Sequence, residues 1–404
     1  IVMILLTNIF FAAMFLFSPG EKVRTTQPNN YLREGPASYY DVITMVPVAM
    51  SVDVVDKKGS WWKVKTEANE MGWLSENSFA KRATAEREEK LMQGKATARA
   101  SRAELGAAVK GFAKKYVPEG DAEMPALNKF YSSLVKADEM EQFEHSFTAE
   151  QLRGYMTIEK PFDLRFHEDA IGYGIAQRIA KLGVVNDPTA LAYINMIGRY
   201  LNTYTRAYDA GFRFFILNSD KINAFAVPGG YIFISKGLLH ACSNESELAA
   251  VIAHEMTHVI QRHGLKELHL SQAKVNSEKL FDELEEEVGE EKSDDEKELD
   301  QFADDAYNTL ITPRLLEYEY EADRLTMLYL KRAGYDPTSL LTVLEKIYAP
   351  SPTSTDIFDN NYMKKDDLQM RISAARQLIS SEGYRVRADR HYEDRFTSHT
   401  SELR

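Results

Sequence analysis

The chain has 404 residues, a formal net charge of −12 and a hydrophobic fraction of 44%. This length favours two or three folding units, and the negative charge argues against a nucleic-acid-binding protein, which would carry a basic face. The single cysteine excludes an internal disulfide bond and a cysteine-based zinc site. Any metal ion must therefore be bound by histidines and carboxylates.

Residues 1–21 are predicted to be a secretory signal peptide or an N-terminal membrane anchor. Val2 to Phe17 is an almost uninterrupted apolar run, and its length fits the core of a signal peptide better than a full membrane span. We therefore expect a periplasmic or secreted protein that meets the membrane only through this segment, if the segment is not cleaved.

Residues 22–82 are predicted to form a small all-β unit, because short β-rich runs at 40–45, 50–55 and 61–66 alternate with turn signals. All three tryptophans lie in this region. The strings LREGP at 32–36, GSWWKV at 59–64 and GWL at 72–74 resemble the bacterial SH3-type domain, a small barrel. The resemblance implies binding of peptides or of cell-wall material such as peptidoglycan. The alternative is a folded spacer whose tryptophans are mostly in the core.

The remaining chain is predicted to be mainly helical, which makes the fold class α+β. Residues 83–160 are interpreted as a helical connector, 161–385 as a larger domain with a small β-sheet, and 386–404 as a C-terminal tail. The predicted elements of the larger domain are helices over 169–182 and 187–204, a strand over 213–217, a hairpin of 223–227 and 231–235, and helices over 245–263, 313–333 and 338–347.

An acidic stretch interrupts this domain between Ser277 and Asp305. It contains fifteen acidic and three basic residues, so its net charge of −12 equals that of the whole chain. We interpret it as a solvated insertion. The alternatives are a lid over a cleft and a weak calcium-attracting patch, although the stretch lacks the ligand pattern of a dedicated calcium loop.

The strongest chemical signal is the pentapeptide His254-Glu255-Met256-Thr257-His258. A helix places residues four apart on one face, so both imidazoles can bind one metal ion, and Glu255 can take a proton from metal-bound water. The apolar run at 248–253 indicates that this helix is buried at the centre of a domain.

A catalytic zinc site requires a third protein ligand. Glu317, Glu319 and Glu321 on a later helix all qualify by residue type. Glu317 and Glu321 share one helical face, whereas Glu319 and Asp323 share another, so one pair must face solvent. His263 lies off the ligand face, and we interpret it as a residue at the helix C-terminus rather than as a ligand.

The motif His-Glu-x-x-His, followed by Glu-x-x-Ala-Asp at Glu319–Asp323, resembles the HtpX, BepA and CAAX-prenyl-protease family of gluzincin peptidases. The strings at 223–230 and 235–239 are also similar to this family, and the resemblance spans about residues 168–378. It implies that His254, His258 and Glu319 bind one zinc ion. It further implies that Glu255 is the general base and that Asp323 fixes the tautomer of a ligand histidine.

The same resemblance implies that an extended substrate adds to an edge strand by main-chain hydrogen bonds. The implied substrate-binding residues are Asn223, Ala224, Phe225 and Ala226. The chain departs from the family in one respect, because no histidine precedes the Arg371-Ile372 pair within residues 356–367. Arg371, or Tyr362, is therefore predicted to stabilise the oxyanion of the transition state.

These features predict a zinc metalloendopeptidase that hydrolyses unfolded or misfolded envelope proteins in protein quality control. Its expected partners are polypeptide substrates, with no nucleic acid. The alternative is a chaperone-like or cell-wall-binding module whose zinc site is closed and weakly active.

Overall fold

The structure is a computed structural model that describes residues 21–27, 30–79, 134–147, 183–264, 266–267, 314–348 and 365–403, together with Gly172, Ile175, Ala176, Ile179 and Ala180. Four predicted features lie outside the described residues: the N-terminal apolar run, most of the connector, the acidic insertion and Tyr362. The chain divides into two compact units, an N-terminal one that reaches about residue 89 and a larger one that contains most of the remainder.

The N-terminal unit is a six-stranded antiparallel sheet in the order β1-β4-β5-β6-β2-β3. Its strands are β1 (Lys22–Arg24), β2 (Asn30–Arg33), β3 (Val42–Val46), β4 (Ser51–Lys58), β5 (Trp61–Thr66) and β6 (Met71–Ser75). Because side chains alternate across a strand, one face is apolar. Its core consists of Leu32, Val46, Val52, Val54, Trp62, Val64 and Leu74. The all-β prediction is confirmed, and Trp61 and Trp62 are buried, whereas Trp73 is half-buried.

The larger unit contains a three-stranded sheet in the order β7-β9-β8. Its strands are β7 (Arg213–Leu217), β8 (Ala224–Val227) and β9 (Tyr231–Ser235). The central strand β9 runs parallel to β7 and antiparallel to β8. Gly229 and Gly230 supply the positive φ values of 81° and 85° in the turn between β8 and β9. The predicted strand and hairpin are thus confirmed.

Helices account for most of the other described residues of the larger unit. They are α1 (Ala137–His145), α2 (Pro188–Asn202), α3 (Lys236–Ala241), α4 (Glu245–Ile260), α5 (Leu316–Ala333), α6 (Ser339–Tyr348), α7 (Lys365–Ser381) and α8 (Glu393–Thr400). The described positions within the predicted helix at 169–182 are also helical. Asp187 caps α2, as its position before Pro188 predicts, by accepting hydrogen bonds from the amides of Thr189 and Ala190 at 2.9 and 3.1 Å.

Helix α4 is the centre of the larger unit, because each of its residues from Glu245 to Ile260 is buried. It packs against β8, α2, α5 and α6. Asn244 caps its first turn by accepting a hydrogen bond from the amide of Glu247 at 2.9 Å. The helix ends three residues earlier than the predicted end at residue 263. A helix surrounded on all sides explains why the sequence before the histidines is uniformly apolar.

The segment predicted to be a C-terminal tail contributes to this core. Helix α8 carries Arg395, whose guanidinium donates hydrogen bonds to both carboxylate oxygens of Glu245 at the start of α4. Glu245 is 0% exposed, and the hydroxyls of Tyr193 and Tyr335 also donate to it, each at 2.7 Å. Residues 386–403 are thus part of the larger unit. Within the described ranges, no helix combines the length and apolar character needed to cross a membrane.

Candidate metal centre

The two histidines of the pentapeptide face the same point. One turn of α4 separates them, and their Nε2 atoms lie 3.0 Å apart. Both side chains are buried, with 8% of His254 and 2% of His258 exposed. Two nitrogens bound to one tetrahedral ion at about 2.0–2.1 Å would be about 3.4 Å apart. The observed separation is therefore close to that of two imidazoles that share a metal ion.

Helix α5 supplies the third group. The Oε2 atom of Glu319 lies 3.3 Å from Nε2 of His254, and its Oε1 atom lies 3.5 Å from Nε2 of His258. Among the described residues, these three side chains are the one set of histidines, cysteines and carboxylates whose ligand atoms all lie within 4.8 Å of one another. Glu317 is exposed and Glu321 is only partly buried, so the geometry selects Glu319 from the three acidic candidates.

Glu255 is buried in the same helix turn as His254. Burial raises the pKa of its carboxyl group, against the opposing charges of His254 and Arg314. A carboxylate whose pKa is shifted towards neutrality is suited to accept a proton and later release it. The predicted neighbour of the metal ligands is therefore placed where it can serve as a base.

A guanidinium group organises the carboxylates of α5. The Nε and Nη2 atoms of Arg371, on α7, donate to the two carboxylate oxygens of Asp323 at 2.8 and 2.6 Å, and Nη1 lies 2.6 Å from Oε2 of Glu319. Asp323 also lies 3.2 Å from Nδ1 of His254. The structure thus brings Arg371 to the site as the partner of two carboxylates, and its role as an oxyanion donor stays a prediction.

Opposed effects act on the pKa values of the cluster. Burial alone would raise the pKa of Glu319, but Arg371 and the two histidines hold it well below its usual range. Burial would likewise lower the pKa of His254, but Asp323 and Glu319 raise it to about 9. For His258, burial lowers the pKa well below its usual value. The carboxylates of Glu319 and Asp323, whose pKa values are both lowered, are therefore ionised at neutral pH and can bind a cation.

A second histidine contact lies on the other side of His258. Its Nδ1 atom is 2.9 Å from Nδ1 of His263, and Nε2 of His263 is 3.2 Å from Oε2 of Glu321. His263 lies outside the metal-binding cluster, in agreement with the prediction that it is not a ligand. The sequence did not predict its contact with His258. The sequence predicts that one of the two acidic pairs faces solvent, and in the structure Glu317 is exposed whereas Glu321 is partly buried.

The predicted substrate strand is at an edge of the described sheet, because β8 pairs only with β9 there. The carbonyl of Asn223 accepts a hydrogen bond from the amide of Ser235 on β9. In an antiparallel pair, successive residues direct their main-chain groups alternately towards the partner strand and away from it. The main-chain groups of Ala226, three residues after Asn223, therefore point away from β9. The carbonyl of Ala226 accepts from Nη2 of Arg314 at 3.1 Å. Arg314 is also paired with Glu267 at 2.8 Å. The positively charged guanidinium of Arg314 thus lies beside this edge.

Two family models match the chain. The model described as Peptidase family M48 matches residues 192–377, and the model described as Bacterial SH3 domain matches residues 29–79. The first range contains all the residues of the metal-binding cluster together with Glu255 and Arg371. The chain therefore contains a domain of each family.

Curated relatives share the first of these regions. The beta-barrel assembly-enhancing protease of Escherichia coli O157:H7 is 32% identical over 186 residues, which cover 43% of this chain and 36% of that protein. The protein of the same name from Escherichia coli K12 is 31% identical over 189 residues, with the same two shares. The mitochondrial metalloendopeptidase OMA1 of Schizosaccharomyces pombe is 25% identical over 197 residues, which cover 49% of this chain and 55% of that protein. The chain spans about a third of the length of the bacterial relatives.

Proposed function

We propose, from the premise that residues 192–377 are a peptidase family M48 domain, that this chain is a zinc-dependent endopeptidase. The observation that carries the proposal is the convergence of His254, His258 and Glu319 from two buried helices on one point next to Glu255. Two imidazoles, one carboxylate and an open fourth position are the ligand set of a catalytic zinc site. One zinc ion per chain is expected.

In this proposal the metal ion and three side chains each have a separate role in peptide hydrolysis. Zinc, when bound, supplies Lewis acidity that polarises the scissile carbonyl and makes water a better nucleophile near neutral pH. Glu255 takes a proton from the attacking water and delivers it to the leaving amine nitrogen. Asp323 orients His254 through Nδ1, and Arg371 offsets the charge of the two buried carboxylates.

The test of the proposal compares an unfolded substrate with its folded form. We expect the full chain to cleave reduced, carboxymethylated lactalbumin and to leave the native, disulfide-bonded protein intact. A chelator is expected to abolish cleavage, and zinc to restore it. Cleavage that continues at full rate in the zinc-free protein would contradict the proposal.

Recovery of the full chain in the periplasmic or secreted fraction of expressing cells would support an envelope location, and recovery only in the cytoplasm would oppose it.

We further propose that the substrate binds as an added strand along β8, because its outward main-chain groups lie beside the helix that carries the metal ligands. Ala226→Pro removes one outward amide, and proline is tolerated on an edge strand. It is expected to raise KM for the unfolded substrate by about two- to tenfold, the value of one hydrogen bond, at unchanged zinc content. Ala226→Ser, which keeps the amide, is the control. An unchanged KM for the proline variant would rule out this mode of binding.

A second candidate function is binding of peptides or peptidoglycan by the N-terminal unit. It is favoured by the bacterial SH3 match and by an exposed apolar pair on neighbouring strands, Tyr31 and Met45, which are 45% and 55% exposed. The full chain with Glu255→Gln is expected to sediment with isolated peptidoglycan, and Tyr31→Ser with Met45→Ser to reduce the bound fraction. Absence of the chain from the pellet would remove cell-wall binding from consideration.

A further inference from the structure

His258 has two ring nitrogens with different surroundings. Its Nε2 atom faces His254 and Glu319, whereas its Nδ1 atom lies 2.9 Å from Nδ1 of His263. His263 is 0% exposed, and its own Nε2 atom lies 3.2 Å from Oε2 of Glu321 on α5. A continuous row therefore runs from the metal-binding point through two imidazoles to a carboxylate.

The end of α4 creates this row. In an uninterrupted helix, a residue five positions after His258 would point about 140° away from it. Here the helix ends at Ile260, and Arg262 takes a positive φ of 57°, which turns the chain back so that His263 lies behind His258. The ring of His263 is then held by a parallel stack with Tyr318, with ring centroids 4.4 Å apart.

The distances in this row indicate which ring nitrogen of each histidine carries the proton. A histidine that binds a metal ion through Nε2 must carry its proton on Nδ1. That proton can be donated only to an acceptor, so Nδ1 of His263 is unprotonated and the proton of His263 is on Nε2. This second proton faces Oε2 of Glu321, which is an acceptor. Each hydrogen atom in the row then has a single place, and both rings have a single tautomer and orientation.

We propose that His263 and Glu321 are positioning residues that hold His258 in the tautomer and ring orientation needed to bind the metal ion. The proposal rests on the proposed function, since it assumes that His258 is a ligand. The proposed counterpart on the other ligand histidine is Asp323, whose Oδ1 atom lies 3.2 Å from Nδ1 of His254. Hydrogen-bonded partners of this kind typically change metal affinity by about 10–100-fold when they are removed.

The primary test is the zinc dissociation constant of the full chain, measured by competition with a chromophoric chelator. His263→Leu is expected to weaken zinc binding by about 10–100-fold. His263→Asn places an amide oxygen near the former Nδ1 position, and it is expected to recover most of the loss. The visible spectrum of the cobalt-substituted protein is expected to change in the leucine variant and to return towards that of the wild type in the asparagine variant.

A matched pair of glutamates keeps the test valid if changes at the buried His263 prevent folding. Glu321→Ala removes the end of the row, and the side chain of Glu321 is 36% exposed, so the fold should tolerate the change. Glu317→Ala removes an exposed carboxylate one turn earlier on α5. Only Glu321→Ala is expected to weaken zinc binding and to alter the cobalt spectrum.

The outcomes separate this inference from the proposed function. If the wild-type chain binds no zinc, the proposed function fails. If the wild type binds zinc and both His263→Leu and Glu321→Ala bind it equally well, the positioning role is overturned and the proposed function stands. Equal losses in the leucine and asparagine variants, with unchanged binding in Glu321→Ala, would show that His263 only fills space and would also overturn the role.

Discussion

Replacing Glu255 with glutamine is expected to lower kcat/KM for an unfolded protein substrate by about 10²–10⁴-fold, the usual contribution of a general base. The amide has nearly the shape of the carboxylate but cannot accept a proton from water. Glu255 is not among the three side chains that converge on the metal-binding point, so zinc content should not change. Initial rates of cleavage and metal content in the same preparation check both parts.

Glu317→Gln is the control, because it makes the same chemical change at an exposed carboxylate of α5. It is expected to have the activity of the wild type. Two results would contradict the role of Glu255. One is a rate for Glu255→Gln within a few-fold of the wild type, and the other is a loss of zinc together with activity, which would indicate a structural role.

Replacing Arg395 with methionine is expected to lower the free energy of unfolding by about 3–5 kcal/mol, the usual cost of breaking a buried ion pair at one partner. Glu245 would keep the hydroxyls of Tyr193 and Tyr335 but lose its counter-ion in a fully buried position. The guanidinium also lies 4.5 Å from the centroid of the Phe143 ring, so its removal costs a cation–π contact as well.

The effect should reach the metal site, because Glu245 is the first residue of the helix that carries both histidines. Urea unfolding is best followed by circular dichroism at 222 nm. All three tryptophans belong to the N-terminal sheet, so their fluorescence would report on the wrong unit. Helical signal comes mainly from the larger unit, which contains α4 and α8.

Two comparisons make the Arg395 prediction specific. Arg376→Met breaks a pair of 2.7 Å with Glu345 whose side chains are 62% and 43% exposed, and it is expected to cost less than about 1 kcal/mol. Combining Arg395→Met with Glu245→Gln removes both charges and is expected to recover part of the loss. A loss below 1 kcal/mol for Arg395→Met, or a double variant less stable than the single one, would show that the pair does not stabilise α4.

Local patterns predicted the parts of the structure that depend on local physics. The spacing of His254 and His258 follows from helix geometry, and the position of Asp187 before Pro188 marked a helix start that the structure confirms. Gly334 ends α5 in the left-handed conformation, with a φ of 81°, as a glycine at that place predicts. These features need no information about distant residues.

Residue type alone could not choose the third member of the metal-binding cluster. Glu317, Glu319 and Glu321 alternate along one helix, and the choice depends on which face of α5 packs against α4. That face is set by the whole core of the larger unit. The resemblance to a family supplied the choice, and burial of Glu319 gives its physical reason.

The carboxylate partners of Arg371 and Arg395 had no signal in the local sequence. Arg371 binds Asp323 and Glu319 across 48 and 52 positions, and Arg395 binds Glu245 across 150. Such pairs form because burial forces charged groups to find partners, and the partner is known only when the fold is known. The turn at Arg262 belongs to the same class, since nothing in its residue type indicates a left-handed conformation.

X-ray absorption at the zinc edge, measured on the full chain loaded with one equivalent of zinc, would identify the ligands of the metal ion directly. We expect a first shell of nitrogen and oxygen at about 2.0–2.1 Å, with the scattering pattern of two imidazoles. In His258→Gln one imidazole should be missing from that pattern. A sulfur shell at about 2.3 Å, or a wild-type spectrum unchanged in the variant, would contradict a zinc site formed by His254, His258 and Glu319.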